Sequence, residues 1–475
     1  LFKIKEGKSY IMRPTKIIVF LVVLIFSASF ILYLYYFKNR HQNPNIILIT
    51  VDTLRADHLS SYGYQRATTP HIDQLAEDGT LFLHTIAQIP ETLPSFCSIM
   101  TSSYPIDHGV RKNGYKLSTD KKTLAETLQD NGYTTAAFVS SCMLDSSTGI
   151  DRGFQFYDDT LPDAFLHLAS CQRTAEKTTK SAIRWIESNA EKKFFLWVHY
   201  NDPHSLYNPP SPFDLMFSKH PDDNKMASNV DLFFRIIKNR IKLNELGVQY
   251  MIDRYDGEIA FMDMHLGRLL EKFKEPGLKN TIIVFTSDHG ESLGEHKYFF
   301  DHGDFLYEDQ IKVPLIISHP KLPKNQIVRS QVESVDIMPT IFDFIKVATE
   351  ANLRGRSLLP LLYNEDEIDF EKFAFSESDI CQESSPRLCS PIGIQGKLYS
   401  LRTGKWKYIL DKNDQSELYN LLEDPLEMQN LIDEEKELAG LLDARIKSLI
   451  DGKDDKGEQS LSEETKEKLK SLGYL

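Results

Sequence analysis

The sequence predicts an α/β protein: a mainly parallel, doubly wound sheet, a small C-terminal α+β subdomain and an N-terminal transmembrane helix. Three observations carry that expectation. Short, uncharged, β-rich runs (NIILITV at 45–51, FFLWVHY at 194–200, TIIVFT at 281–286 and VPLIIS at 313–318) alternate with segments of helical spacing. Beyond about residue 350 the runs shorten and cluster around Gly404 and Asn413, as antiparallel strands do. At the other end, Ile17 to Phe37 is a 21-residue apolar run without a charge.

Taken in order, residues 1–16 form a basic segment and 17–37 the expected anchor, long enough as a helix to span roughly 30 Å. Lys3, Lys5, Lys8, Arg13 and Lys16 precede the run, while Lys38 and Arg40 follow it. The positive-inside rule then keeps the amino end cytoplasmic and predicts a single-pass membrane protein with its catalytic domain outside the cytoplasm. The bulky end of the run, with Tyr33, Tyr35, Tyr36 and Phe37, does not suit a cleavage site, so a signal-anchor is expected.

Residues 43–350 read as one catalytic domain. Asn45–Val51 is a buried strand, Pro70–Gly79 a helix closed by glycine, and Leu81–Ala87 a strand-like connection. Leu124–Asn131 is helical and Thr134–Ser140 returns as a strand, followed by the FFLWVHY run, a helix over Tyr250–Phe273, and the TIIVFT and VPLIIS strands. Residues 351–450 form the subdomain, with short strands at Leu398–Leu401, Lys407–Leu410 and Glu417–Leu421 before an amphipathic helix over Leu431–Ile450. Residues 451–475 form a charged, flexible tail.

Composition narrows the partners. The chain carries a net charge of −13; residues 1–40 hold seven Lys/Arg against one Glu, which leaves −19 for the remainder. Such a surface repels phosphate backbones and excludes nucleic acid. Five cysteines give no disulfide framework: Cys381 and Cys389 share a loop and are candidates to pair, whereas Cys97, Cys142 and Cys171 suggest no bond.

The chemistry gathers at strand ends. Asp52 follows NIILITV directly, and Asp288-His289 follow TIIVFTS, so both acids fall on one sheet edge if the strands are parallel. Thr92 precedes Pro94, a helix start whose amino terminus favours an anion. Two carboxylates, an imidazole and a hydroxyl therefore converge. Singly, Asp52 reads equally as a turn residue and Thr92 as a cap; together they read as a site. Asp52, Thr92, Asp288 and His289 mix hard oxygens with imidazole, a donor set for one divalent ion: manganese, zinc or magnesium rather than calcium, although calcium remains open.

Val51-Asp52-Thr53-Leu54-Arg55-Ala56-Asp57, His108-Gly109-Val110-Arg111, Tyr255-Asp256-Gly257-Glu258, Ser287-Asp288-His289-Gly290 and Glu417-Leu418-Tyr419-Asn420-Leu421 resemble motifs of the sulfatase family, within the alkaline-phosphatase superfamily. The chain is similar to bacterial-type, membrane-anchored members. That resemblance implies a sulfatase-like fold and a metal-dependent hydrolase of sulfate or phosphate esters acting on small molecules, glycans or lipids. It also implies a substrate-binding and catalytic role for His204 and leaving-group protonation by His302; Arg55 and Arg111 are candidate anion partners by their charge. Loop-bonded histidines and surface salt bridges are the structural alternatives for these four. Asp202, His204 and His302 suggest a weaker second metal site.

The sequence also departs from the family pattern. Thr53 replaces the second Asp of an Asp-Asp pair. Thr92-Leu93-Pro94-Ser95-Phe96 stands where the family has Cys/Ser-x-Pro-Ser-Arg, so no formylglycine is expected. Phe138–Gly153 replaces a Gly-Lys-Trp-His-Leu-Gly segment. Cys97 lies outside the oxidised position and reads as a packed helix residue. A Thr nucleophile with a covalent intermediate follows, the chemistry of superfamily phosphodiesterases. The alternatives are a phospho-headgroup transferase acting on lipid or glycan, or a catalytically silent binding protein.

Overall fold

The computed structural model describes residues 21, 23–30, 43–161, 172–218, 235–236, 242–348, 353–363, 373–380, 396–411 and 415–451. Two compact units result, Leu1–Pro44 and Asn45–Leu475.

The expected membrane anchor is corrected by the first unit. Among the described residues no helix is long and apolar enough to cross a membrane. Within 17–37, helix is described only between Leu21 and Phe30, a length of roughly 15 Å against the roughly 30 Å needed. The remaining positions of that run lie outside the described residues. The transmembrane helix, single-pass topology, outward-facing catalytic domain and membrane partner are therefore not carried further.

In the second unit the chain lays down β1 (Asn45–Val51), α1 (Pro70–Glu77), β2 (Thr80–Ile86), α2 (Thr92–Thr101), α3 (Leu124–Asp130), β3 (Thr134–Phe138), β4 (Phe156–Asp158), α4 (Ala175–Asn189) and β5 (Phe194–Tyr200). The long α5 (Glu245–Lys272) leads into β6 (Thr281–Ser287), the hairpin β7 (Ser292–Leu293) and β8 (Phe299–Asp301), then β9 (Lys312–Ser318), β10 (Gln326–Val328), β11 (Val332–Glu333) and α6 (Ile337–Ile345). The order across the large sheet is β10-β2-β9-β6-β1-β5-β3-β4, with β11 beside β2.

The sheet is mixed. β1 runs parallel to β5 and β6, but β9 is antiparallel to both β6 and β2. A parallel return needs a crossover, usually a helix; a short hairpin and a four-residue helix fill the space between β6 and β9, so β9 comes back reversed.

Alternation along β1 divides the core. Ile47, Ile49 and Val51 pack with α1, α4 and α5 on one face, while Ile46 and Leu48 pack with α2, α3 and α6 on the other. A central strand with both faces covered reads as continuous apolar sequence, and β1 is buried at every position.

The C-terminal part adds an antiparallel sheet, β12 (Ala374–Ile380), β13 (Gly396–Arg402), β14 (Trp406–Asp411) and β15 (Glu417–Asn420), and α7 (Lys436–Ile450). Ala439, Leu442 and Ile446 of α7 share a core with Tyr399, Leu401, Tyr408 and Leu418. The cysteine expectation also changes: Cys142 is disulfide-bonded and Cys97 is free and buried. Cys171, Cys381, Cys389 and the tail beyond Asp451 lie outside the described residues.

Candidate active site and metal centre

β1 and β6 lie in register, Val51 opposite Ser287, so the residues that follow them emerge side by side. Local bonds lock the two ends together. The Thr53 and His289 amides donate to Asp288 Oδ1 at 3.2 and 2.8 Å, and the Leu54 amide donates to Ser287 Oγ at 3.1 Å. Thr53 is held at φ 55°, a costly conformation for a β-branched residue, while the Tyr255 hydroxyl donates to its carbonyl at 2.7 Å. Gly290 is needed for closeness: a Cβ there would lie 2.0 Å from the Asp309 carbonyl oxygen.

What remains unbonded is as informative as what is bonded. Asp52 Oδ1 and Oδ2, Asp288 Oδ2, His289 Nε2 and His199 Nε2 are buried without a hydrogen-bond partner. His289 Nε2 lies 3.4 Å from Asp288 Oδ2 and 3.9 Å from Asp52 Oδ1, and His199 Nε2 lies 3.6 Å from Asp52 Oδ2. Asp52, His199 and Asp288 offer ligand atoms within 4.8 Å of one another. Uncompensated buried polar atoms are expensive, and several aimed at one point fit a divalent cation.

The titration behaviour agrees. Burial pushes the Asp52 carboxyl up, but His204, His199 and His289 outweigh it and hold it well below the carboxylate range. Asp288 goes the other way, raised by burial and by the negative charge of Asp52. Burial, with His302 alongside, lowers His289 to about 3, which keeps its lone pair free. A cation would relieve the carboxylate repulsion and take that lone pair.

Thr92 opens α2 and is buried. Its helix is pinned to the end of β6 by Ser95 Oγ, which donates to the Asp288 carbonyl at 2.7 Å. His204 and His302 stand ring to ring at 5.2 Å, and His302 and His289 at 4.4 Å. His302 Nδ1 meets Glu291 Oε1 at 3.0 Å. Burial opposes its charge, yet Glu291 prevails and the imidazole is raised to about 10. A cavity of about 90 Å³ lies against His204, lined also by Gln172, Asn201, Asp202 and Glu258. A larger one, about 260 Å³, touches Thr281 and Ser318 at the opposite strand ends, away from this chemistry.

The two arginines are engaged elsewhere. Arg55 forks onto Asp57 at 2.9 and 2.8 Å and reaches Glu295 at 2.8 Å. Arg111 Nε lies 3.2 Å from Glu377 of β12. Asp202 Oδ2 accepts the Ala175 amide at the start of α4, and among the described residues no metal-ligating group joins it with His204 and His302. Sequence reasoning missed His199 and Glu291. A lone imidazole inside the apolar FFLWVHY run was the available signal for His199; Glu291 sits two residues beyond His289.

A helix start tied by Ser95 to buried carboxylates and imidazoles, at the strand ends of an α/β sheet, fits a metal-dependent ester hydrolase. The sulfatase family pattern matches residues 44–347, and the chain belongs to that family as a sulfatase-like hydrolase. A second pattern, N-sulphoglucosamine sulphohydrolase, C-terminal, matches residues 294–452. N-acetylglucosamine-6-O-sulfatase of Bacteroides thetaiotaomicron is 26% identical, over 82% of this chain and 83% of that protein. A structure solved with its substrate, D-glucosamine-2-N,6-O-disulfate, superposes with TM-score 0.71 at 24% identity, covering 88% of this chain and 100% of that one. Phosphonate monoester hydrolase of Agrobacterium radiobacter gives 0.68 at 22% identity, covering 88% and 97%.

Proposed function

We propose that the chain hydrolyses phosphate or sulfate esters, phosphate esters foremost, through a covalent intermediate on Thr92. The observation behind this reading is the placement of Thr92 at the amino end of α2, a helix tied to Asp288 through Ser95. A hydroxyl at a helix start meets an incoming anion with the positive end of the helix dipole behind it.

The roles follow from chemistry. Thr92 Oγ attacks phosphorus or sulfur as its own proton passes to solvent; the bond from phosphorus or sulfur to the leaving oxygen breaks, and that oxygen takes a proton from His302. Glu291 keeps His302 charged at neutral pH, so it has that proton to give. Water then attacks phosphorus or sulfur, its hydroxyl leaving as part of phosphate or sulfate and its other proton returning to Thr92 Oγ, while His302 is recharged from solvent. A divalent ion held by Asp52, Asp288, His289 and Thr92 would neutralise the transferred group and lower the hydroxyl pKa; manganese, zinc and magnesium suit these donors. His204 would donate to a non-bridging oxygen. Arg55 and Arg111, bound to carboxylates, belong to the scaffold in this reading.

Thr92 cannot become the aldehyde that sulfatase chemistry requires, which favours direct attack by an alkoxide. The glucosamine-sulfate relatives support a sulfated amino sugar as the second substrate class. The headgroup-transferase alternative loses its support, because it rested on an anchor beside a lipid pool.

The test is turnover of aryl phosphate, phosphodiester, aryl sulfate and glucosamine 6-sulfate by the full chain with added divalent ion. Thr92→Ala should lower turnover by several orders of magnitude while the fold holds, because the N-cap of α2 is Glu91 and not Thr92. Thr92→Ser should keep part of the activity, and mass spectrometry should find the adduct on Thr92. A folded Thr92→Ala protein with near-normal turnover would falsify the mechanism.

A further inference from the structure

His199 and His289 both reach toward Asp52, and the partners of their second nitrogens distinguish them. His199 lies on β5, opposite Thr50 of β1, and is fully buried on the side that faces α2. Phe96 of α2 packs edge-on against its ring, with centroids 5.1 Å apart and planes at 84°. An apolar ring packed edge-on in this way limits the rotation of the imidazole.

The backbone N–H of Ser140 points at His199 Nδ1 over 3.3 Å. An amide N–H can only donate, so Nδ1 receives it through its lone pair. A neutral imidazole used in this way carries its proton on Nε2. That Nε2 has no other partner and faces Asp52 Oδ2 at 3.6 Å, about half an ångström beyond hydrogen-bond length. His289 is the reverse case. Its Nδ1 lies 2.8 Å from the Gly290 carbonyl oxygen, which can only accept, so the proton sits on Nδ1. The lone pair of His289 Nε2 is then directed at the space between Asp52 Oδ1 and Asp288 Oδ2.

We propose that His199 is a positioning residue and not a cation ligand: its Nε2–H faces Asp52 Oδ2 and closes onto that oxygen as a donor when the cation binds, leaving Asp52 Oδ1, Asp288 Oδ2 and His289 Nε2 to hold the cation. A carboxylate with one oxygen occupied by a donor has one rotamer and one free lone-pair face, which is how outer partners set the affinity of a metal site. Ser140, through its backbone, sets the tautomer, and Phe96 sets the ring plane. The proposal rests on the metal-dependent reading above.

The test counts imidazoles around zinc by X-ray absorption in the zinc-loaded full chain, with zinc affinity measured alongside. In His199→Gln the side-chain amide nitrogen stands where Nε2 stood, so the imidazole count should be unchanged and zinc should bind within about threefold of wild type. His199→Leu removes the donor; it should weaken zinc about 10–100-fold with the count still unchanged. Loss of one imidazole in His199→Gln, or zinc binding as weak as in His199→Leu, overturns the proposal while the metal-dependent reading stands. Should His199→Gln lack a melting transition, the wild-type count decides, with one imidazole supporting the assignment and two overturning it. A wild-type chain that binds no zinc, manganese or magnesium overturns the metal-dependent reading and this proposal together.

Discussion

Glu308, Arg402, Lys407 and Glu427 form one buried ionic cluster, and Asp52, Asp288, His199 and His289 form another; only the first closes on itself. Arg402 forks onto Glu308 at 2.9 Å through both arms, and Lys407 sits 3.3 Å from Glu308 and 2.8 Å from Glu427. Each charge there has its opposite within reach, and the Glu308 amide donates to Glu427 at 2.7 Å. The cluster joins the four-residue helix after Tyr307 to β13 and β14, so it fastens the small sheet to the large one. The second cluster leaves five polar atoms without a hydrogen-bond partner, four just beyond β1 and β6 and the fifth, His199 Nε2, on β5. Paired against unpaired charge separates a clamp from a candidate receptor: cutting the first is expected to cost stability, and cutting the second function.

The sharpest way to break that comparison is to neutralise one member of the open cluster. Asp288→Asn keeps an oxygen to accept the Thr53 and His289 amides and removes a charge that Asp52 repels. Turnover should fall by at least about three orders of magnitude, since the transferred group loses its electrostatic support. The metal-free protein should melt at an unchanged or higher temperature. Divalent ion at about 100 times its Kd should add about 2.7 kcal/mol to wild type and nothing to the variant. A variant that melts lower without metal, yet still gains from it, would show that Asp288 is scaffold.

The closed cluster should answer in the opposite sense. Glu308→Gln leaves Arg402 and the face of Lys407 without their carboxylate in a buried setting, which costs about 3–5 kcal/mol. Divalent-ion affinity should stay at the wild-type value, and turnover per folded molecule should remain within a few-fold. Urea unfolding with and without metal measures both. A fall in metal affinity as large as the fall in stability would erase the distinction between the two clusters.

Legibility in the sequence divides along similar lines. Asp52, Asp288 and His289 could be read because a central strand announces itself by unbroken apolar sequence, and the residues beyond it have one place to go. His199 could not be ranked in the same way: inside FFLWVHY its role depends on the Ser140 amide, 59 positions away. β12 went unread altogether, because AFSESDI has no apolar alternation. Its polar groups are buried against distant partners: Ser376 donates to the Ala87 carbonyl, Glu377 accepts the Ile106 amide, and Ser378 donates to the Asp304 carbonyl. The reversal of β9 depends on what fills the β6–β9 connection, and the apolar-run test does not register direction. The apolar run at 17–37 shows the converse risk, where composition suggested a spanning helix that the described residues do not form.

The smallest expected effect concerns the edge between cluster and solvent, where His302 leans on Glu291. This pair joins opposite charges as the clamp does, yet leaves Glu291 Oε2 without a hydrogen-bond partner beside the open cluster, so pH should reveal which it resembles. Burial alone would lower the His302 pKa; Glu291 at 3.0 Å reverses that and takes it to about 10. A histidine whose folded pKa exceeds its unfolded value of about 6.5 binds more protons folded than unfolded between those two values. Its stabilising contribution is therefore complete below about pH 6.5 and is lost as pH rises toward 10. Metal-free wild-type protein should lose melting temperature steadily across that window. Glu291→Gln should melt lower at pH 7 and lose most of the slope, because a neutral amide cannot hold the imidazolium against burial. Melting curves of both proteins at half-unit steps test this. Parallel curves would mean that Glu291 orients His302 without charging it, and the proton given to the leaving oxygen would need another source.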